Sequence, residues 1–529
     1  MKILLLLIFF FVSAYPQNWE WQNPLPQGNS LKHIFAVDEN VLYAAGENGT
    51  LIQTLDGGTN WLKLSTGVSS KLNTCFFVNA NSGYAAGDNG VILKTSDGGL
   101  TFSRRDSSIS ADLHTLIFLN EQTGYAAGSN GNLFFTSDGG MHWLQKPTPD
   151  QKAISDIFFL SQNQGWYTGA DGTIRFTNDG GNSWISQSPN TDAILSSLFF
   201  VNPSTGWVCG TEGTIIKTTD GGNSWTKLNT NTLSWLKSIK FFDENNGIAS
   251  GSPGVILTTT DGGINWTANN SPSAFDLTSL AIEQNLSGWI VGDKGFIIKT
   301  TDRGNSWEFQ TKGYQTELNN ILFFNENEGI AAGNEGLILT TTNGGIEWVK
   351  RESGTDKNIN AIDYYAGKPD EIWAVGDSAT LLFSEDKGIS WTTESLRYLT
   401  DYNFSSIDVG SFYAAITGER GVLINNIFRT NTGWILRPAV SENLTDVHAF
   451  SATLYLTAGE NATLLFFGKG TFGWAWGANF TLDVNDINDL FILRPNRGWG
   501  VGKYGFVVFS NSNLTGTWSV KTRLEVNEL

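Results

Sequence analysis

The sequence predicts an all-β fold of tandem β-propellers, about twelve four-stranded blades of about 41 residues each, and three observations carry that expectation. One pattern recurs every 41 residues through most of the 529-residue chain. Within each copy the apolar residues alternate with period two, as half-buried strands require, and no helical period competes. The composition fits as well: 59 Gly and 13% aromatic residues against 16% charged suit many short strands joined by tight turns.

The elements follow in chain order. Residues 1–17 combine a Lys, the apolar run 3–12 and a small polar end, the layout of a secretory signal peptide. Ten apolar residues are too few to span a bilayer, and no later segment reads as a membrane span. The expected destination is therefore secreted: periplasm, cell surface or medium. Residues 19–21 then read as a lone strand ahead of the first complete repeat, expected to pair with the last blade of the first ring and close it.

The repeat is marked by an acidic residue at Asp56, Asp97, Asp138, Asp179, Asp220, Asp261 and Asp302, with Asn343 next. A Trp follows five positions later at Trp61, Trp143, Trp184, Trp225, Trp266, Trp307 and Trp348. Beyond Asn343 the pattern loosens but persists through Gly376, Gly418, Gly459 and Gly502, which makes twelve copies. In the clearest copy, residues 195–201 form strand A, 206–210 strand B, 214–218 strand C and 225–228 strand D. Gly213 supplies the positive φ that the tight B–C hairpin needs.

A single blade leaves both faces exposed, so blades stack around an axis, typically four to eight to a ring. Twelve blades therefore imply two rings, the first over 18–313 and the second over 314–529, degenerate from about 356. A split of six plus six or seven plus five fits equally.

The excess of 51 acidic over 33 basic residues leaves −18, a field that repels nucleic acid. Cys75 and Cys209 are expected to be small buried apolar residues, and His33, His114, His142 and His448 are spaced too widely to suggest a metal site. Neither metal nor cofactor is expected. The repeating Asp reads as a turn residue whose carboxylate accepts backbone N–H bonds, because a group present once per blade lies on a ring, remote from its copies.

Strand A is expected to line the central channel with small polar second and third residues. Asp156, Asp446 and Asp489 break that rule and are the carboxylates to test for acid–base chemistry. Sequence variation is concentrated in the B–C and D–A loops, at Asp88, Asn89, Arg104, Arg105, Asp171, Glu212, Asp293, Lys294 and Glu335. These are the candidate binding residues.

The segment from Thr218 to Trp225 resembles the Asp-box, or BNR repeat, and the unit from Gly206 to Trp225 resembles the photosystem II stability/assembly factor family of seven-bladed propellers. That resemblance implies a non-enzymatic propeller that binds a protein or glycan, and in photosynthetic organisms an assembly role for photosystem II. This chain departs from it in having about twelve blades and few arginines. The alternative is a glycoside hydrolase of the tandem Asp-box type, xyloglucanase- or sialidase-like.

Overall fold

The computed structural model describes residues 26–523 apart from short stretches, the longest being 428–432, 480–485 and 511–518. The expected signal peptide and the strand at 19–21 lie outside the described residues. The described residues form twelve antiparallel sheets of four consecutive strands, each in the order A-B-C-D.

Blade 5 shows why the repeat folds this way. Its strands are Leu195–Phe200, Gly206–Gly210, Ile215–Thr218 and Thr226–Leu228. Strand B is buried along its whole length because neighbouring blades cover both its faces, and its Gly-Trp-Val-Cys-Gly sequence keeps both faces apolar. The B–C hairpin places Glu212 and Gly213 at φ 56° and 61°. Two consecutive positive φ values define the type I′ turn that matches strand twist.

The chain divides into two compact units, residues 1–315 and 316–529, holding seven and five of the sheets. In the first unit each strand A packs on the next, and the seventh, Leu277–Ile282, returns to the first, Leu31–Ala36. The fourth strand of blade 7 is Glu308–Phe309, from its own repeat. The place beside strand C, where residues 19–21 are expected, is thus held by the blade's own repeat. The ring closes through the same contacts that join its other blades.

Those contacts recur with little change. Trp207 of blade 5 stacks on Phe241 of blade 6 at 3.6 Å, and Trp166 of blade 4 stacks on Phe200 at 3.9 Å. Trp207 Nε1 donates to the Gly262 carbonyl in the next blade's Asp turn at 3.0 Å, and Trp289 of blade 7 donates to Gly57 of blade 1 at the same distance. Apolar cores thus lie between blades: Trp207, Cys209 and Ile215 form the trailing face of blade 5, and Leu236, Ile239 and Phe241 the leading face of blade 6. In the second unit the five strands A also pack in order, but the last, Ile487–Arg494, does not pack on the first, Leu318–Phe323, among the described residues.

Candidate functional site

The Asp turns are held by their own chains. Asp220 Oδ1 accepts from Thr218 Oγ1 at 2.8 Å and from the Ser224 N–H at 2.9 Å, while Oδ2 accepts from Ser224 Oγ at 2.6 Å. These bonds, the Ser224 hydroxyl first, draw the carboxyl down from 3.8 to about 2. Asp97 and Asp179 reach about 2 in the same way, and Asp56, Asp138, Asp261 and Asp302 are also lowered. Asn343 keeps the frame in blade 8, accepting from the Glu347 N–H at 2.9 Å. Trp143, Trp184, Trp225 and Trp266 are buried against strand A aromatics, with Trp225 edge-on to Phe200 at 6.1 Å. Trp61, Trp307 and Trp348 are half-buried.

The polar residues of strand A connect neighbouring blades. Strand A is the inner edge of its sheet, so some of its backbone groups face the channel without a ladder partner, and side chains of the preceding blade reach them. Second-position residues donate to the next blade's first carbonyl: Asn73 to Leu113 at 2.9 Å, Thr278 to Leu31 at 2.7 Å. Third-position residues accept from the next blade's fourth N–H: Asp156 from Leu198 at 3.0 Å, Ser279 from Ile34 at 3.2 Å, Asp446 from Leu490 at 2.8 Å. Burial raises Asp156, and burial with the nearby Asp489 pushes Asp446 up to about 7. Asp446 and Asp489 sit on adjacent inner strands of the second unit, whereas Asp156 belongs to the first.

The fifth residue of strand A forms a ring that the sequence reading passed over. In the first unit it is Phe35, Phe76, Ile117, Phe158, Phe199, Lys240 and Ala281. Where Ala281 stands in place of a ring, a cavity of about 710 Å³ opens beside Phe35, Phe199 and Lys240, with His33 in its lining. Lys240 Nζ lies 5.4 Å from the Phe199 ring centroid, a cation–π contact. Burial, reinforced by Lys240, lowers His33 from 6.5 to about 4, so the imidazole is neutral near pH 7. Its Nδ1 accepts from the Cys75 N–H at 3.4 Å, which leaves Nε2 as the protonated nitrogen. Asp243, Glu244 and Glu283 also line the cavity, and they make its outer edge acidic. These residues belong to strand A ends and A–B turns, on the same edge as the Asp turns and opposite the B–C loops.

In the second unit the fifth position carries Asp363, Asp408 and His448 on successive blades. Asp363 accepts from the Val409 N–H at 2.6 Å, Asp408 from the Ala449 N–H at 2.9 Å, and His448 Nδ1 lies 2.9 Å from Asp408. Burial first, then the Asp408 charge, pushes Asp363 from 3.8 up to about 7. Comparing the fifth position across repeats would have found all of these residues.

The candidate loop residues are largely engaged in bonds within their own blade or to the next one. Asp88 accepts from Asn73 at 2.8 Å and pairs with Lys71 at 3.2 Å; Asp293 pairs with Lys32 at 3.4 Å and Asp171 with Lys152 at 3.4 Å. The N–H groups of Asn89, Lys294 and Glu335 donate to Asp112, Ser30 and Asn358 of the following blade's loop. The Asn89 and Glu212 side chains remain exposed, as does Arg104, while Arg105 is half-buried.

Seven closed blades with Asp turns, and five more of the same build, define an Asp-box β-propeller protein. The sequence model of the family described as photosynthesis system II assembly factor YCF48 matches residues 11–96, 181–271 and 271–355. Over those stretches, just under half of its length, the chain is similar to this YCF48-like family of BNR-repeat propellers. No curated protein matches it. Among solved structures, an ancestral GH74 enzyme is similar over 95% of this chain and 84% of its own, with 11% identity and a TM-score of 0.69. The GH74 xyloglucanase of Xanthomonas campestris aligns over 94% of both chains, with 14% identity and a TM-score of 0.58. PorZ, a surface component of the type-IX secretion system of Porphyromonas gingivalis, aligns over 95% of this chain and 82% of its own, with 10% identity and a TM-score of 0.54. At these identities the likeness is one of fold.

Proposed function

We propose that this is an exported, non-enzymatic binding propeller that captures a segment of a protein, or a glycan, at the channel mouth of its first unit. One observation carries the reading: the cavity at Ala281, whose half-buried rings, half-buried cation and acidic edge are formed without any dedicated loop. Pockets of roughly 300–1,000 Å³ with mostly apolar walls and a few polar groups are the usual form of a ligand site. The photosystem II role in the family's description is that of its namesake. The apolar N-terminus supports export, and among the described residues no helix is long and apolar enough to cross a membrane.

The test is affinity capture from envelope and medium fractions with the mature chain, alongside a glycan array, comparing wild type with Ala281→Phe and Lys240→Met. A saturable ligand lost in Ala281→Phe supports the reading, and a ligand held equally by both variants refutes the site. The second reading, a glycoside hydrolase, has in its favour the raised carboxylates Asp363 and Asp446 in one channel. Hydrolysis of a β-glucan that disappears in both Asp363→Asn and Asp446→Asn would establish it in place of the first.

A further inference from the structure

The second unit exposes both halves of the contact that joins blades everywhere else. Between blades 5 and 6, Leu236, Ile239 and Phe241 of the leading face are 0%, 0% and 2% exposed. Their counterparts on blade 8, Leu318, Ile321 and Phe323, are 40%, 57% and 41% exposed. Blade 8 is otherwise built like its relatives, since Phe323 meets its own Trp348 edge-on at 6.0 Å as Phe200 meets Trp225 at 6.1 Å. At the other end, Cys209 of the trailing face is 0% exposed in blade 5, but its counterpart Val501 in blade 12 is 46% exposed. Among the described residues, neither face is covered.

Shape and chemistry together say what fits there. Seven contacts of this kind complete a turn in the first unit, so five blades joined by the same contact leave an opening two blades wide. The opening is bounded by a leading face on one side and a trailing face on the other, so only a segment with the same polarity of faces satisfies both. We propose that this opening is a docking surface for a polypeptide segment that folds as two Asp-box blades. Its first blade would set an aliphatic and aromatic leading face on Val501, and its second a strand B aromatic and aliphatic pair on Leu318, Ile321 and Phe323. In the first unit, Trp289 and Val291 of blade 7 do this to Leu31 and Ile34 of blade 1.

The test uses this chain's own blades as the probe. Residues 236–317 are appended behind residue 529 through a Gly/Ser linker, and thiol labelling is followed at Ile321→Cys and Val501→Cys, the native Cys75 and Cys209 being buried. Labelling of both sites should be fast in the untethered chain and about tenfold slower or more with the probe attached. A probe carrying Trp289→Glu should leave residue 321 labelling at the untethered rate. Unchanged labelling with the intact probe overturns the proposal. So does protection of both sites in the untethered chain: light scattering then assigns the opening to a second copy if the chain is dimeric, and to closure of the unit on itself if it is monomeric.

Discussion

Asp363 gives a pH prediction whose size follows from its surroundings. Its carboxyl lies on an inner strand, accepts the Val409 N–H, and is raised from 3.8 to about 7 by burial and by Asp408. The folded form therefore holds a proton that the unfolded chain has released over the interval between those values. Stability falls as pH rises through that interval and levels off above about 7. A shift of about 3 units at 1.36 kcal/mol per unit corresponds to a loss of about 4 kcal/mol at most. Asp363→Asn keeps an acceptor for Val409 and carries no charge, so it should match wild type near pH 4, exceed it increasingly up to about pH 7, and keep a constant margin above that. Urea midpoints read by tryptophan fluorescence at each pH measure the difference. Hydrogen exchange of peptides spanning Ile359–Tyr364 and Phe404–Val409 locates it in blades 9 and 10. Parallel pH profiles for the two proteins would refute the reasoning.

Other outcomes follow from the same geometry. Trp225→Ala removes an indole packed against Phe200 and should lower unfolding free energy by about 3–5 kcal/mol, read from denaturant midpoints. Asp220 should titrate near 2 by carboxyl-carbon NMR; its depressed value means its stabilising effect is present above 3.8 and is lost as pH falls through about 2. Asp220→Ala should therefore lower the denaturant midpoint at pH 7 while leaving ligand binding intact, and a binding defect without a stability change would show that the turn is functional. Ala281→Phe should abolish capture with little change in melting temperature, because Phe occupies the equivalent position in blades 1, 2, 4 and 5.

The blades were legible because the 41-residue register marks every strand and turn, and because Thr218, Asp220 and Ser224 belong to one local turn. What was not legible involves contacts between repeats. Asp156 and Ser279 look like solvated channel residues when one repeat is read alone, yet they cap N–H groups of the adjacent blade, about 40 residues further on or, at the ring closure, about 245 residues back. The cavity escaped notice because it depends on one position compared across seven repeats, where Ala281 is inconspicuous as a residue. Strand A of blade 8, Leu-Asn-Asn-Ile-Leu-Phe, has the same pattern as its buried relatives. Its exposure is decided by a neighbour, which no local pattern encodes.

Seven equivalent places circle the channel mouth, and the cavity is simply the one left empty. A ligand site of this kind can migrate: exchanging a small residue for a ring at one blade and the reverse at another moves the recess around the axis while every strand, turn and interblade bond stays in place. Related chains with the same frame can therefore differ in what they hold, and the comparison that reveals it is the side-chain size at the fifth residue of strand A, counted blade by blade.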